Sequence, residues 1–147
     1  MEIRPALPCD LNALEEIEKI CFTRERFPRD FLNSMLVDEG FVTYLIQEGE
    51  SVLGAASMLL MEGSMTARLI TLAVVPEHRC RGAGRLLLET LQERAAALGI
   101  RRMTLEVNIF NVPGVNLYLH NGFRIVGVFK DYYGKGKDAY YMERRIG

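Results

Sequence analysis

Tryptophan is absent from this 147-residue sequence, and histidine and cysteine are scarce, with two and three residues respectively. The three cysteines, Cys9, Cys21 and Cys80, do not form a C-x-x-C pair. With so few thiolate and imidazole ligands, a structural zinc site is not expected. The sequence therefore predicts free thiols, a cytoplasmic location and no bound metal.

Long apolar runs and an excess of one charge are also missing. No run reaches the ~18 apolar residues of a membrane span, and the first residues lack the pattern of a secretory signal. The net charge is −1, so no overall field favours nucleic acid or an anionic membrane as a partner. The length and the hydrophobic fraction of 49% predict one globular domain over residues 1–147.

The periodicity of the apolar residues predicts an α+β fold with about four helices. Between the strand 69–75 and the strand 102–107 lies one amphipathic helix, so these two strands are expected to be parallel and central in a mostly antiparallel sheet. Helices are predicted at 11–21, 30–37, 84–98 and 112–121, and strands at 2–6, 41–47, 51–61, 69–75, 102–107, 123–130 and 139–145.

The first helix has a clear apolar face. Leu11, Leu14, Ile17, Ile20 and Cys21 recur at spacings of three and four residues, which leaves the charged residues mostly outside. This pattern predicts that Asp10 caps the helix and that four side chains face solvent: Glu15, Glu16, Glu18 and Lys19.

The stretch 69–88 has the most specific pattern in the chain. An apolar strand ends at Pro76, and arginines and two glycines then lead into a leucine-rich helix. Glycines at a strand-to-helix junction let backbone N–H groups approach a ligand, and the helix N-terminus adds partial positive charge. Arginines on both sides suit a phosphate, so the stretch predicts a pyrophosphate site.

Two common nucleotide-binding motifs do not fit this loop. A Rossmann motif, G-x-G-x-x-G, requires a third glycine, and Leu87 occupies that position. No G-x-x-x-x-G-K-[ST] run is present, which excludes a P-loop. A glycine turn that merely begins a helix, with the three arginines as a solvated face, remains as the structural alternative.

The pattern R-x-x-G-x-G after a buried strand resembles the acetyl-CoA signature of the GCN5-related N-acetyltransferases, the GNAT superfamily. The resemblance extends over nearly the whole chain, because the order of elements also fits. The downstream residues 105–123 resemble the RimI-type branch, which acetylates the α-amine of a ribosomal protein. The resemblance rests on L-E-V, Asn111, L-Y and N-G-F. The pairs Tyr132-Tyr133 and Tyr140-Tyr141 are similar to that branch as well.

The resemblance implies a role for each residue that matches the motif. Glu106 is the expected general base and Tyr118 the expected general acid, with direct attack in a ternary complex. Phe27, Tyr132 and Tyr133 are the expected acceptor-binding residues. The residues expected to bind acetyl-CoA are Leu72, Ala73 and Val74 for the pantetheine arm, Arg79, Cys80, Arg81, Gly82, Ala83, Gly84 and Arg85 for the pyrophosphate, and Asn111 for the arm.

Each of these residues also has a purely structural interpretation. Glu106 in the apolar run RMTLEV is costly to bury unless it is paired or functional, and it could instead face outward from the strand. Tyr118 could be a core tyrosine, and Asn111 could be only a helix cap. A covalent acyl-cysteine at Cys80 has no histidine base specified for it, so direct transfer is preferred.

The expected acceptor is a protein N-terminal α-amine, as in the RimI-type branch, with a ribosomal protein as one possible partner. The alternatives are a lysine side chain, a polyamine or another small amine, or a non-catalytic module that binds CoA. The chain departs from the branch where the peptide enters: Arg29-Asp30 replaces Trp-Ser after Phe27-Pro28, and Asp131 replaces Asn before the tyrosine pair. The oligomeric state does not follow from the sequence.

Overall fold

The computed structural model describes residues 1–22, 26–79 and 81–147. Over these residues the chain forms four α-helices and one seven-stranded sheet. The helices are α1 Leu11–Cys21, α2 Arg29–Val37, α3 Ala83–Ala97 and α4 Val112–His120. The strands are β1 Glu2–Pro5, β2 Phe41–Glu48, β3 Ser51–Met61, β4 Thr66–Val74, β5 Arg102–Asn108, β6 Arg124–Phe129 and β7 Ala139–Arg145.

The sheet has the order β1-β2-β3-β4-β5-β7-β6. The pair β4–β5 is parallel and the other neighbours are antiparallel. Helix α3 connects the two parallel strands, as the sequence predicts for a strand–helix–strand unit. The predicted α+β fold with a central parallel pair is therefore confirmed.

The hydrophobic core lies between the sheet and the helices. Leu87, Leu88 and Leu91 place the apolar face of α3 against the central strands, and each is fully buried. Leu14 and Ile17 of α1 and Leu32 of α2 are buried in the same core. In the described part of the chain, no helix is long and apolar enough to cross a membrane.

Two local predictions were wrong. β4 begins at Thr66 rather than at residue 69, because Thr66, Ala67 and Arg68 already pair with β5. Asp10 does not cap α1. Its carboxylate instead accepts hydrogen bonds from the Leu7 N–H at 2.7 Å and from Arg4 at 2.8 Å, which holds its pKa below the ordinary value.

The prediction for Glu18 was also wrong. Its side chain was expected to face solvent, but the residue is only 2% exposed. Glu18 lies four residues after Leu14 and three before Cys21, so it belongs to the buried face of α1. A carboxylate on that face is costly to bury unless it has partners.

Candidate active site

The parallel strands separate shortly after they meet. β4 and β5 pair over three residues, from Thr66–Arg102 to Arg68–Thr104, whereas β5 pairs with β7 over seven residues. Next to the point of separation, the register of β3 and β4 shifts between Ser57 and Met58, which leaves Ile70 as an extra residue in β4. A cavity of about 790 Å³ opens between the two strands.

The open edge of β4 presents backbone hydrogen-bonding groups to this cavity. The Val75 N–H donates to the Leu53 carbonyl at 2.8 Å, and hydrogen-bonded pairs alternate along an antiparallel ladder. The backbone groups of Leu72 and Val74 therefore point away from β3 and into the cavity, whereas those of Ala73 face Ala55 of β3. All three predicted residues, Leu72, Ala73 and Val74, line the cavity.

The N-terminus of α3 forms one end of the cavity. Gly82 has a φ of +85°, a conformation that favours glycine, and its carbonyl accepts from the Leu86 N–H at 3.0 Å. Gly84 lies close to two leucines, since a Cβ there would be 3.4 Å from Leu117 and 3.5 Å from Leu72. The first N–H groups of a helix have no acceptor within the helix, so this end suits an anion.

The arginines of the loop make contacts within the protein. Arg79 Nε donates to the Val74 carbonyl at 2.8 Å, which folds this side chain back onto the end of β4. Arg85 is exposed and forms an ion pair with Glu89 at 2.7 Å. Of the predicted pyrophosphate residues, Arg79, Gly82, Gly84 and Arg85 line the cavity, Arg81 and the buried Ala83 do not, and Cys80 lies outside the described residues.

Glu106 lies in β5 where the two strands separate, and its side chain is 12% exposed. Arg68 holds this carboxylate with two contacts, Nη2 to Oε1 at 3.0 Å and Nε to Oε2 at 3.2 Å. The arginine also donates to the Tyr132 hydroxyl at 3.0 Å. A guanidinium that binds both carboxylate oxygens fixes the orientation of the acid. Glu106 is therefore partly buried at the cavity and paired, rather than outward-facing.

Tyr118 of α4 reaches the same cavity from the opposite side. The residue is 8% exposed, its ring lies edge-on to Phe123 at 5.9 Å, and burial raises the pKa of its hydroxyl to about 12. Asn111 caps α4, because its Oδ1 accepts from the Gly114 N–H at 3.1 Å. Asn111 also lines the cavity, so the cap and a ligand contact are compatible.

The expected acceptor-binding residues divide into two groups. Phe27 and Tyr133 line the cavity, and the Tyr133 hydroxyl donates to the Glu106 carbonyl at 3.1 Å. Tyr132 does not line it and reaches the site through Arg68. The structure thus brings Phe27, Tyr133, Glu106 and Tyr118 to one cavity.

Two charged residues of the site were missed in the sequence. Arg68 lies just before the predicted start of the strand at residue 69, so its position beside Glu106 was not foreseen. Glu18 lines the cavity, and its carboxylate accepts from the Phe27 N–H at 3.1 Å and from the Thr71 hydroxyl at 3.5 Å. Burial raises the pKa of Glu18, and both hydrogen bonds oppose that shift. The signal for Glu18 was its spacing from Leu14 and Cys21.

Comparison with known proteins identifies the family. The model of the acetyltransferase (GNAT) family matches residues 11–123. The chain belongs to this family. The sequence is 32% identical over 104 residues to the N-alpha-acetyltransferase of Sulfurisphaera tokodaii, which covers 70% of this chain and 60% of that protein.

Further relatives agree with the GNAT assignment. The putative ribosomal protein bS18-alanine N-acetyltransferase of Bacillus subtilis is 29% identical over 136 residues, which cover 90% of this chain and 87% of the relative. The crystal structure of the ribosomal-protein-S18-alanine N-acetyltransferase from Escherichia coli superposes with a TM-score of 0.90 at 24% identity, over 99% of this chain and 94% of the other. The crystal structure of Arabidopsis thaliana NAA60 in complex with a bisubstrate analogue superposes with a TM-score of 0.88 at 22% identity, over 99% of this chain and 98% of the other. The two structures establish the GNAT fold of this chain.

Proposed function

We propose that this GNAT protein transfers an acetyl group from acetyl-CoA to the N-terminal α-amine of a protein, by direct attack in a ternary complex. The observation that carries the proposal is the single cavity between β4 and β5. The N-terminus of α3, the open edge of β4, Glu106 and Phe27 all line it.

The residues present fit acetyl-CoA. The first N–H groups of α3 and the side chain of Arg85 suit a pyrophosphate, and Gly82 leaves open space beside the backbone. The backbone groups of Leu72 and the N–H of Val74 suit the amides of an extended pantetheine arm, as an added strand would, whereas the Val74 carbonyl already accepts from Arg79. Related structures support this, since Arabidopsis thaliana NAA60 is known in complex with acetyl-CoA. Acetyl-CoA supplies the thioester, and the chain contributes binding and proton transfer.

Glu106 and Tyr118 are proposed as the proton-transfer pair. Acetyl transfer to an amine requires a neutral amine and a stabilised thiolate. Glu106, held in place by Arg68, accepts the proton of the attacking amine directly or through water. Tyr118 stays protonated at neutral pH because its pKa is about 12, so its hydroxyl can donate to the departing sulfur. Since a thiol of pKa about 8.5 is the stronger acid, Tyr118 stabilises the thiolate through this hydrogen bond while the C–S bond breaks. A proton that the sulfur takes from Tyr118 is replaced, through solvent, by the one that Glu106 received from the amine.

The paired state of Glu106 supports an α-amine as acceptor. An α-amine with a pKa of about 7.7–8.0 is already roughly one-tenth neutral at pH 7, whereas a lysine near 10.4 is less than about 0.1% neutral. Removal of the proton from an α-amine therefore demands less of a carboxylate that already binds a guanidinium than removal of the proton from a lysine does. The names of the relatives, N-alpha-acetyltransferase and ribosomal protein bS18-alanine N-acetyltransferase, point to the same class.

A panel of acceptors tests this proposal. Free CoA release from acetyl-CoA is measured with a peptide that begins with a free alanine, an N-terminally blocked peptide that contains one lysine, and a polyamine. We expect release with the free-alanine peptide. Release only with lysine or the polyamine would overturn the acceptor assignment, and tight CoA binding without release from any acceptor would indicate a non-catalytic module.

A further inference from the structure

Glu18 is a buried carboxylate to which the proposed chemistry assigns no role. It lies in the last two turns of α1, is 2% exposed and lines the cavity. One carboxylate oxygen accepts from the backbone N–H of Phe27 at 3.1 Å, and the other accepts from Thr71 Oγ1 at 3.5 Å. Glu18 thus connects the segment before α2 with the edge strand of the cavity.

The Thr71 contact lies beside the expected position of the acetyl group. With a pyrophosphate at the N-terminus of α3, an extended arm runs along β4 from Val74 towards Thr71. Val74 and Thr71 are three residues apart in the strand, which at ~3.3 Å per residue corresponds to about 10 Å. The acceptor then approaches from the remaining end of the cavity, where Phe27 and Glu106 lie. Glu18 stands at the junction of these two paths.

Phe27 is fixed by different contacts at its ring and at its backbone. The ring lies 4.7 Å from the ring of Phe31, which in turn lies edge-on to Phe41 of β2 at 5.7 Å. These ring contacts join Phe27 to α2 and β2 rather than to β4, and Arg29 at the start of α2 donates to Glu15 and Asn12 of α1. The hydrogen bond from the Phe27 N–H to Glu18 is the described contact that ties this backbone to the wall of the cavity.

We propose that Glu18 is a positioning residue for the acceptor, because it holds the Phe27 segment at a fixed place relative to Thr71 of β4. This inference rests on the proposed function, in which Phe27 contacts the acceptor. The role requires a hydrogen-bond acceptor at residue 18, and a glutamine has one. Loss of that acceptor leaves the Phe27 N–H without its partner, and the acceptor-binding wall moves.

Steady-state kinetics on variants test the role. Glu18→Ala raises the KM for the free-alanine peptide by about tenfold, the effect of losing one well-formed hydrogen bond, and leaves the KM for acetyl-CoA unchanged. Glu18→Gln restores the peptide KM to within about twofold. Glu16→Ala is the matched control, since Glu16 is an exposed glutamate of the same helix. In the Phe27→Ala background the effect of Glu18→Ala becomes small.

Three results would overturn the inference. These are equal effects of Glu18→Ala on both KM values, a Glu18→Gln variant as impaired as Glu18→Ala, or additive effects with Phe27→Ala. Amide hydrogen exchange provides a readout that does not depend on turnover. The Phe27 amide exchanges faster in Glu18→Ala than in Glu18→Gln, Glu16→Ala or the unaltered protein. If no acceptor is acetylated, the proposed function fails, and unchanged exchange at Phe27 separately refutes the contact.

Discussion

Glu106 and Glu18 both line the cavity, Glu106 partly buried and Glu18 fully buried, and the sequence singled out only Glu106. Glu106 stands alone in an apolar strand, so its cost of burial was visible from its neighbours. Glu18 lies among other charged residues of α1. Because it is itself charged, it was expected to face solvent, although its spacing places it on the apolar face. The angle around the helix, rather than the type of side chain, was the correct guide.

Substitution of the proposed proton-transfer pair tests the assigned roles. Glu106→Gln and Tyr118→Phe are each expected to lower kcat by about 10²–10⁴-fold, because each removes one proton-transfer group. The affinity for CoA, measured by calorimetry, should change little. Unchanged turnover in both variants would refute these roles.

Arg68 is expected to act through Glu106. Arg68→Met frees the carboxylate to adopt other orientations, and we expect kcat/KM to fall by about 10- to 100-fold. Arg68→Lys keeps the charge but loses the two-point contact, so its effect should be intermediate. Arg102→Met is the control, because Arg102 of β5 forms an exposed ion pair with Glu143 of β7. Equal rates for Arg68→Met and Arg102→Met would show that the ion pair does not orient Glu106.

The buried hydroxyl of Tyr118 predicts a loss of stability at alkaline pH. Its pKa is about 12 in the folded protein and close to 10 when unfolded, so between these values the folded state binds more protons. The contribution of Tyr118 to the free energy of unfolding is therefore complete below pH 10 and falls as the pH rises, by about 1 kcal/mol at pH 11.

Urea unfolding at pH 8 and pH 11 measures this contribution as the difference between the unaltered protein and Tyr118→Phe. The variant lacks the titrating group and should lose less stability between the two pH values. The other tyrosines are the same in both proteins, so they cancel in the comparison. An equal loss in the two proteins would mean that the hydroxyl is not desolvated.

At the scale of elements, the sequence predicted the order and type of nearly every helix and strand. The central parallel pair followed from one amphipathic helix between two apolar strands. The position of β7 between β5 and β6 did not follow, because two C-terminal strands with similar patterns fit the sheet in either order. The start of β4 was missed because Arg68 and Thr66 are polar, and their partners lie 36 residues away in β5.

The glycine loop before α3 can be tested with a matched pair of variants. Gly82→Ala introduces a side chain at a φ of +85°, and Gly63→Ala does so at +77°, with nothing within 4 Å of the new Cβ at either position. Each should cost about 1 kcal/mol of stability from backbone strain. Only Gly82→Ala should weaken CoA binding in calorimetry, because Gly63 lies in the β3–β4 turn. Equal affinities would place the pyrophosphate elsewhere.

At the scale of the whole molecule, the cavity depends on how the sheet is paired. β5 is held by β7 along its length and by β4 at its start only, so the two parallel strands can part without loss of the sheet. The sequence located both strands and the glycine loop before α3, but the point of separation is a property of the assembled sheet. Sequence motifs therefore predicted the family, whereas the positions of Glu18 and Arg68 beside the proposed acceptor site emerged only from the fold.

The central claim is that the acceptor is an α-amine, and one pair of peptides tests it most directly. The first peptide has a free N-terminal alanine and no lysine. The second has the same sequence with a blocked N-terminus and a single lysine. After incubation with acetyl-CoA, mass spectrometry locates the added acetyl group. The account predicts acetylation of the first peptide at its N-terminus and little of the second. Acetylation of the lysine peptide alone would contradict it.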